Sequence, residues 1–328
     1  MQAGDGATGL AKREPADPLK ADLPLPFHHV LFPYGFPVHV KSNDPVVIRA
    51  AETSWGSFTQ RFRETPIEIR FVVTNLPTRR KPAIPQFCAQ SNLLTIVADG
   101  QNFACCDLLA GFGFAYLTKA ITTHTEYLRY YFLEAMAYTL LDTCHLVALH
   151  AACLQFGPHG YLLTGESGVG KSTLAYACAR RGWTYISDDS CSLVRRRSGR
   201  TVLGNSHAFR FRPSVSSLFP EITGTARPRN GKPTIVIRSE QIPNLRTAHE
   251  CEVDFVIFLN RSAKPVPASL SRVSRQSALP RLFQRVWPPE LPIHEERLQA
   301  VEHLLAAELY ELTYSGLDEA IDLLERMS

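Results

Sequence analysis

The chain holds eight cysteines in 328 residues, yet no two of them form a C-x-x-C pair. Cys88, Cys105, Cys106, Cys144, Cys153, Cys178, Cys191 and Cys251 are scattered, and none stands at a Cys/His spacing suited to zinc. A structural zinc centre is therefore excluded. Small buried thiols, kept reduced in a cytoplasm, are the expectation. Long apolar runs are also missing. No stretch of about 18 apolar residues could cross a bilayer, and no signal peptide opens the sequence, so a cytoplasmic protein with no membrane partner is expected. Excess charge of one sign is lacking too. The 35 basic and 31 acidic residues leave a net +4 and are spread along the chain. Basic and aromatic residues do not interleave. Both facts argue against a nucleic-acid partner. The one dense run, Arg195-Arg196-Arg197 beside Ser198-Gly199, reads as a solvated hairpin turn, with a patch for phosphate or an acidic partner as the alternative.

What is present is enough apolar material for a core. Hydrophobic residues make up 45% and charged residues 20%, as in ordinary globular proteins, and the length admits two domains or one large one. Residues 1–24, rich in Gly, Ala, Pro and charge, read as a disordered tail. From 25 to 120, short apolar runs such as IEIRFVVTNL and NFACCDLL alternate with Pro, Gly, Asn and Asp breaks. This rhythm predicts a small β-rich N-terminal domain with TRRKPAIPQ (78–86) as an exposed loop. No repeat period is visible.

The texture changes over 121–328. Residues 124–143 carry Tyr127, Tyr130, Tyr131, Leu133, Met136 and Leu140 at helical spacing. LVALHAACLQF and HGYLLTG read as strands, KSTLAYACARRG as a helix stopped by Gly182, WTYISDD as a strand and SCSLVRRRSGRTVLG as a hairpin. DFVIFLNR (254–261) is a further buried strand. The last part reads as the helix RQSALPRLFQRV, the turn WPPELP, a second helix, the strand LYELTY and a final helix. Mixed strands with helices on their faces predict an α/β core.

Between HGYLLT and the helix lies Gly165-Glu166-Ser167-Gly168-Val169-Gly170-Lys171-Ser172-Thr173, a G-x-x-x-x-G-K-[ST] loop in strand–loop–helix context. Glycines permit the φ values that turn successive N–H groups inward, where they and the helix N-terminus meet phosphate charge. Lys171 suits a place between the β- and γ-phosphates, and the Ser172 hydroxyl suits a Mg²⁺ position. Glu166 either bonds a neighbouring amide or faces solvent. These residues predict binding of a nucleoside triphosphate.

Asp188 and Asp189 close the strand WTYIS. One acid at such a strand end serves as a Mg²⁺ anchor, and a second can accept a proton from an incoming hydroxyl. The alternative is that Asp188 touches metal while Asp189 caps the turn. His150 lies on the apolar strand before the loop and is either a core histidine or a neighbour of the phosphates. Arg210 and Arg212 in AFRFRP read as an exposed strand face or as contacts to phosphate or an acidic substrate. Lys232 reads as a turn residue or a neighbour of the site, and His145 and His207 as structural.

Together LHA (149–151), LLTGESGVGKST (162–173), ARRG (179–182) and ISDD (186–189) resemble the catalytic domain of HPr kinase/phosphorylase. The resemblance implies a P-loop kinase core of HPr kinase type, using ATP and Mg²⁺ on a serine hydroxyl. It places Asp189 as the proton acceptor, Lys171 as the phosphate-loop lysine, Ser172 and Asp188 at the metal, and His150 and Asp188 as supports beside the γ-phosphate. It also implies a ring-like homo-oligomer. The family's loop continues S-E-T where this one has Ser172-Thr173-Leu174. The stretch 205–219 has no glutamate to match the family's second metal-binding one, Glu221 being the nearest carboxylate. A serine kinase with a protein, peptide or small-molecule acceptor is the first expectation. A nucleotide-binding regulator or scaffold without transfer is the competing one, and a kinase of a small metabolite is the third.

Overall fold

The computed structural model describes residues 24–76, 83–189, 191–195, 199–229, 232–283 and 293–327. Most of the expected N-terminal tail, part of the 78–86 loop, the centre of the Arg195–Arg197 turn and the WPPELP turn lie outside the described residues. So does the side chain of Lys232. The chain divides into two compact units, Met1–Ala137 and Tyr138–Ser328.

In the first unit β1 (Phe27–Leu31), β2 (Val38–Ser42), β3 (Ile67–Thr74), β4 (Gln86–Gln90), β5 (Leu93–Asp99), β6 (Asn102–Asp107) and β7 (Phe112–Thr118) form one seven-stranded sheet in the order β1-β2-β3-β7-β6-β5-β4. Strict alternation builds it: on β2 and β7 every second residue is buried, as a half-covered sheet requires. Asp44 starts α1 (Pro45–Trp55) by accepting the Val46 N–H at 2.9 Å, with Pro45 in the first turn. After β7 the chain turns helical through α2 (Lys119–Thr122), α3 (Thr125–Leu128), a π-helical stretch over Arg129–Glu134 and α4 (Ala135–Cys144). The fully buried face is Leu128, Phe132, Leu133, Met136 and Leu140, while Tyr127, Tyr130 and Tyr131 are only partly covered. Met136 packs against Gly113 of β7. That contact draws the helical segment up to Ala137 into the first unit, whereas a change in sequence texture alone suggested a division at 120/121.

The second unit is built on a larger mixed sheet. Its strands are β8 (Leu146–Leu149), β9 (Ala151–Phe156), β10 (His159–Thr164), β11 (Thr184–Ser187), β12 (Cys191–Val194) and β13 (Thr201–Gly204). The short three-stranded sheet β14 (Ala208–Phe211), β15 (Arg227–Arg229) and β16 (Lys232–Arg238) follows. β17 (Arg246–Thr247), β18 (Glu250–Arg261), β19 (Ser269–Arg272) and β20 (Glu308–Tyr314) complete the main sheet in the order β17-β11-β9-β10-β18-β13-β12-β8, with β20 beside β18. The helices are α5 (Lys171–Arg180), α6 (Arg275–Phe283), α7 (His294–Leu304) and α8 (Leu317–Glu325).

β10 and β18 are apolar on both sides because both faces of the sheet are covered. Tyr161, Leu163, Ile257 and Leu259 pack with Leu174, Ala175 and Cys178 of α5 and Ile321 and Leu324 of α8. Leu162, Val256 and Phe258 point the other way, toward Ala278 of α6 and Val301 and Leu304 of α7. This helix–sheet–helix layering is what a continuous apolar strand between polar loops demands.

LVALHAACLQF, which the sequence reads as one strand, is two. Leu146–Leu149 pairs with β12, and Ala151–Phe156 pairs with β10 and β11. His150 is the residue at the change of partners. The facing chain changes at the same level: Ser187 pairs with Cys153, and pairing resumes at Cys191 with Leu149. Asp188 and Asp189 therefore fall in the matching gap, released from the ladder on that edge.

Candidate functional site

The glycine loop leaves the sheet at Thr164, the last residue of β10, and ends where α5 begins at Lys171. Three glycines make this turn possible, with φ of +148° at Gly165, +92° at Gly168 and +108° at Gly170, values that L side chains seldom adopt. Space is also tight at Gly170. A β-carbon there would sit 3.1 Å from the Tyr314 hydroxyl. The Tyr314 hydroxyl in turn donates to the Val169 carbonyl at 3.4 Å. No side chain caps the start of α5, so its first-turn amides remain available to an anion.

Lys171 is nearly covered, at 6% exposure. Its ammonium donates to the carbonyls of Gly165 at 2.7 Å and Glu166 at 3.0 Å, so the charge is folded across the mouth of the loop. Glu166, Ser167 and Gly168 at the tip are exposed. The Ser172 hydroxyl, one residue into the helix, donates to the Asp188 carbonyl at 3.3 Å. That bond seats the acidic pair against the first turn of α5. Thr173 is half-buried beside it.

The two acids differ sharply. The Asp188 side chain is fully buried, accepting from the Arg210 backbone N–H at 2.8 Å and the Tyr185 hydroxyl at 3.1 Å. Burial pushes its carboxyl up to about 6, opposed by the Arg210 guanidinium 3.9 Å away and by the Arg210 amide. Asp189, half exposed, has its Oδ1 3.5 Å from His150 Nδ1. A carboxylate this open is accessible to an incoming hydroxyl. The gap in the ladder thus leaves one buried acid bonded to Tyr185 and Arg210, its carbonyl against the helix, and one open acid beside the imidazole.

Among the described residues no group of three or more His, Cys, Asp or Glu side chains is placed to hold a metal alone. Mg²⁺ characteristically takes one or two carboxylates and completes its shell with phosphate and water. Ser172, Asp188 and Asp189 supply oxygen donors of the type Mg²⁺ takes, with Ser172 meeting Asp188 through its backbone carbonyl and the Asp188 carboxylate held by Tyr185 and Arg210.

Of the other candidates, Arg210 and Arg212 part company. Arg210 faces Asp188, whereas Arg212 lies just past the end of β14 and is exposed. Glu221 accepts from Arg180 at 2.6 Å and from the Tyr176 hydroxyl at 3.2 Å, on later turns of α5. His207 lies near His249, with ring centroids 5.9 Å apart. The carbonyl of His145 accepts the Arg195 N–H at 2.9 Å. Two residues the sequence reading did not single out, Arg261 and Tyr314, lie against Gly170. Only the pairing of β10 with β18 and β18 with β20 brings these distant strand ends to the loop.

No family model matches the chain. Similarity to HPr kinase/phosphorylases is distant and partial. An homologue in Oceanobacillus iheyensis is 43% identical over 58 residues, 18% of this chain and 19% of that protein. The HPr kinase/phosphorylase of Bacillus subtilis is 37% identical over 59 residues, 18% of this chain and 19% of that one. That of an Exiguobacterium species is 30% identical over 89 residues, 27% of this chain and 26% of that one. The chain thus matches these relatives over about a fifth to a quarter of their length. Among solved structures, the Hpr(Ser) kinase/phosphatase of Coxiella burnetii aligns with a TM-score of 0.32 and 15% identity over 55% of this chain and 90% of that one. Over the matched stretches of sequence the chain is similar to HPr kinase/phosphorylases, distantly and in part. Among the described residues no helix is long and apolar enough to cross a membrane.

Proposed function

We propose that this chain is an ATP- and Mg²⁺-dependent kinase that phosphorylates a serine hydroxyl. The observation that carries the reading is the Ser172–Asp188 hydrogen bond of 3.3 Å, which joins the glycine loop and the acidic pair into one site. In this reading the loop amides and Lys171 hold the triphosphate, Lys171 turning from the Gly165 and Glu166 carbonyls to the phosphates. Ser172 and Asp188 would hold Mg²⁺, whose charge offsets that of the phosphates.

The acceptor oxygen forms a bond to the γ-phosphorus, the bond from that phosphorus to the β,γ-bridging oxygen breaks, and ADP leaves. Asp189 takes the hydroxyl proton as the new bond forms. His150, 3.5 Å from that carboxylate, orients it. The relatives' names give HPr as their acceptor; for this chain the acceptor is a serine in a protein, a peptide or a small molecule.

One observation favours a narrower activity than the relatives' double name. Glu221, the carboxylate nearest the segment where a second acidic ligand is expected, is held by Arg180 and Tyr176. We therefore assign the forward transfer alone. A regulator that binds nucleotide without transfer is the competing reading, and Asp189 decides between them.

The test uses purified protein with γ-labelled ATP, Mg²⁺ and cell extract, followed by phosphoamino-acid analysis. Label on serine is expected. Asp189→Asn should lower transfer by about 10²–10⁴-fold, the range of general-base contributions, while ATP affinity stays within about twofold. ATP binding by the wild type without transfer across several extracts would favour the regulator. An equal loss of binding and transfer in Asp189→Asn would make Asp189 a metal anchor instead.

A further inference from the structure

Strands β10 and β18 run parallel and in register, Thr164 opposite Phe258. Their carboxyl ends therefore emerge side by side. β10 stops there and becomes the glycine loop, but β18 runs on to Arg261. The continuation follows the loop closely. A β-carbon on Gly165 would meet the Leu259 carbonyl at 3.2 Å, and one on Gly170 would lie 3.7 Å from Arg261 Cδ and 3.8 Å from a terminal guanidinium nitrogen. Arg261 is exposed, and no carboxylate pairs with it among the described residues. Its charge is felt locally: it opposes the upward push that burial gives the neighbouring Tyr314 phenol.

The sheet order makes the placement asymmetric. On one side of β10 come β9 and β11, leading to His150, Asp188 and Asp189. On the other come β18 and β20, leading to Arg261 and Tyr314. The acids and the free guanidinium thus flank the loop from opposite sides. A polyphosphate chain carries its metal and its reacting end at one extreme and its nucleoside at the other, so a two-sided loop of this kind orients it.

Resting on the nucleotide reading above, we propose that Arg261 is a nucleotide-binding residue. Its guanidinium donates to α- or β-phosphate oxygens, so that the triphosphate lies across the loop with its γ end toward Asp189 and its nucleoside on the β18 side. An arginine fork suits this task, because it donates two parallel hydrogen bonds to phosphate while its stem lies along the loop. The role belongs to the diphosphate portion and is the same for ATP and ADP.

Calorimetric titration of the full chain with MgATP and MgADP tests this, using the wild type, Arg261→Gln and Arg261→Lys. Loss of a charge-assisted hydrogen bond predicts that Arg261→Gln weakens both nucleotides by about tenfold or more, and to a similar degree. Arg261→Lys should recover part of the loss by restoring charge without the fork. Because the side chain is exposed, the melting temperature should not change. If Gln does lower it, Arg261→Met, which keeps the aliphatic stem, carries the same comparison. Dissociation constants within twofold of wild type for both nucleotides overturn the proposal. A loss confined to ATP also overturns it, by placing the guanidinium at the γ end. If the wild type itself binds neither nucleotide, the nucleotide reading fails and this role falls with it, an outcome read from the wild type alone.

Discussion

Two buried charges in the second unit have been treated in opposite ways. At the start of the sheet, Arg297 of α7 is the buried member, 1% exposed, and it reaches Asp142, which is 21% exposed. Asp142 also accepts the Ala148 N–H, and Arg297 donates to the Asp142 carbonyl as well. Beside the glycine loop the buried member is instead the acid. Asp188 is fully covered, and its arginine, Arg210, stands 3.9 Å off and is 28% exposed. The first pair is a direct ion pair with supporting hydrogen bonds, yet burial still raises the Asp142 carboxyl against the opposing pull of Arg297, the Ala148 N–H and Arg195. In the second the guanidinium stands off, and burial raises the Asp188 carboxyl to about 6. Both acids are pushed up; what differs is that one meets its arginine directly and the other at 3.9 Å.

The comparison can be broken most forcefully at Asp142. Asp142→Ala strands a buried guanidinium, and removing one partner of a buried pair costs about 3–5 kcal/mol. Urea denaturation should show a fall of that order. A loss below about 1 kcal/mol would mean that water or neighbouring groups already compensate Arg297.

Asp188→Asn should act in the opposite direction in protein free of nucleotide and metal. An asparagine fits the same bonds: its oxygen can accept the Arg210 N–H, and its amide can donate to the Tyr185 oxygen while that hydroxyl donates to Ala208, now 2.9 Å away. A folded-state value raised above the unfolded one means that the protonated form is favoured. Stability from this group is fully present below about pH 4 and is lost as pH rises through about 6. The total is at most about 3 kcal/mol, from roughly two pKa units at 1.36 kcal/mol each. The variant should therefore be more stable than wild type at pH 7.5 in EDTA by about 1–3 kcal/mol, and the advantage should vanish near pH 4. Mg²⁺ with ATP should reverse the ranking. Parallel stability–pH curves for the two proteins would contradict the raised value.

The smallest effect is expected at Arg210. Arg210→Gln keeps the backbone N–H bond to Asp188 and removes only a guanidinium that is partly exposed. Unliganded stability at pH 7.5 should fall by less than about 1 kcal/mol, and by nothing measurable at pH 4, where Asp188 is neutral. An equal loss at both pH values would mean that Arg210 acts by packing.

Much of the site was legible because its parts are local in sequence. Gly165–Thr173 carries its own turn chemistry, and Asp188-Asp189 marks a strand end a short helix later. The apolar runs at Tyr161–Leu163 and Phe255–Leu259 announced buried strands. What sequence could not convey was lateral order. Nothing in LVALHAACLQF shows that the ladder partners change at His150, because the residue pattern stays apolar across the break. Arg210 looked like one of two outward arginines, since alternation predicts a face but not what covers it. Arg261 ends a strand far along the chain from the loop it flanks. Its neighbourhood exists only once β18 is paired with β10.

The paired interruption at His150 and Asp188-Asp189 ties reactivity to the way the strands close around the interior. The imidazole and the open carboxylate are carried by two short crossings between differently paired segments, so their separation is set by how squarely β8 with β12 meets β9 with β11. Leu149 and Cys191, the pair that reopens the ladder, belong to the apolar cluster under α6 and α7. A slight misfit in that cluster would be transmitted to the separation of His150 and Asp189 while the glycine loop stayed intact. On the proposed function, turnover would then report on the packing of α6 and α7.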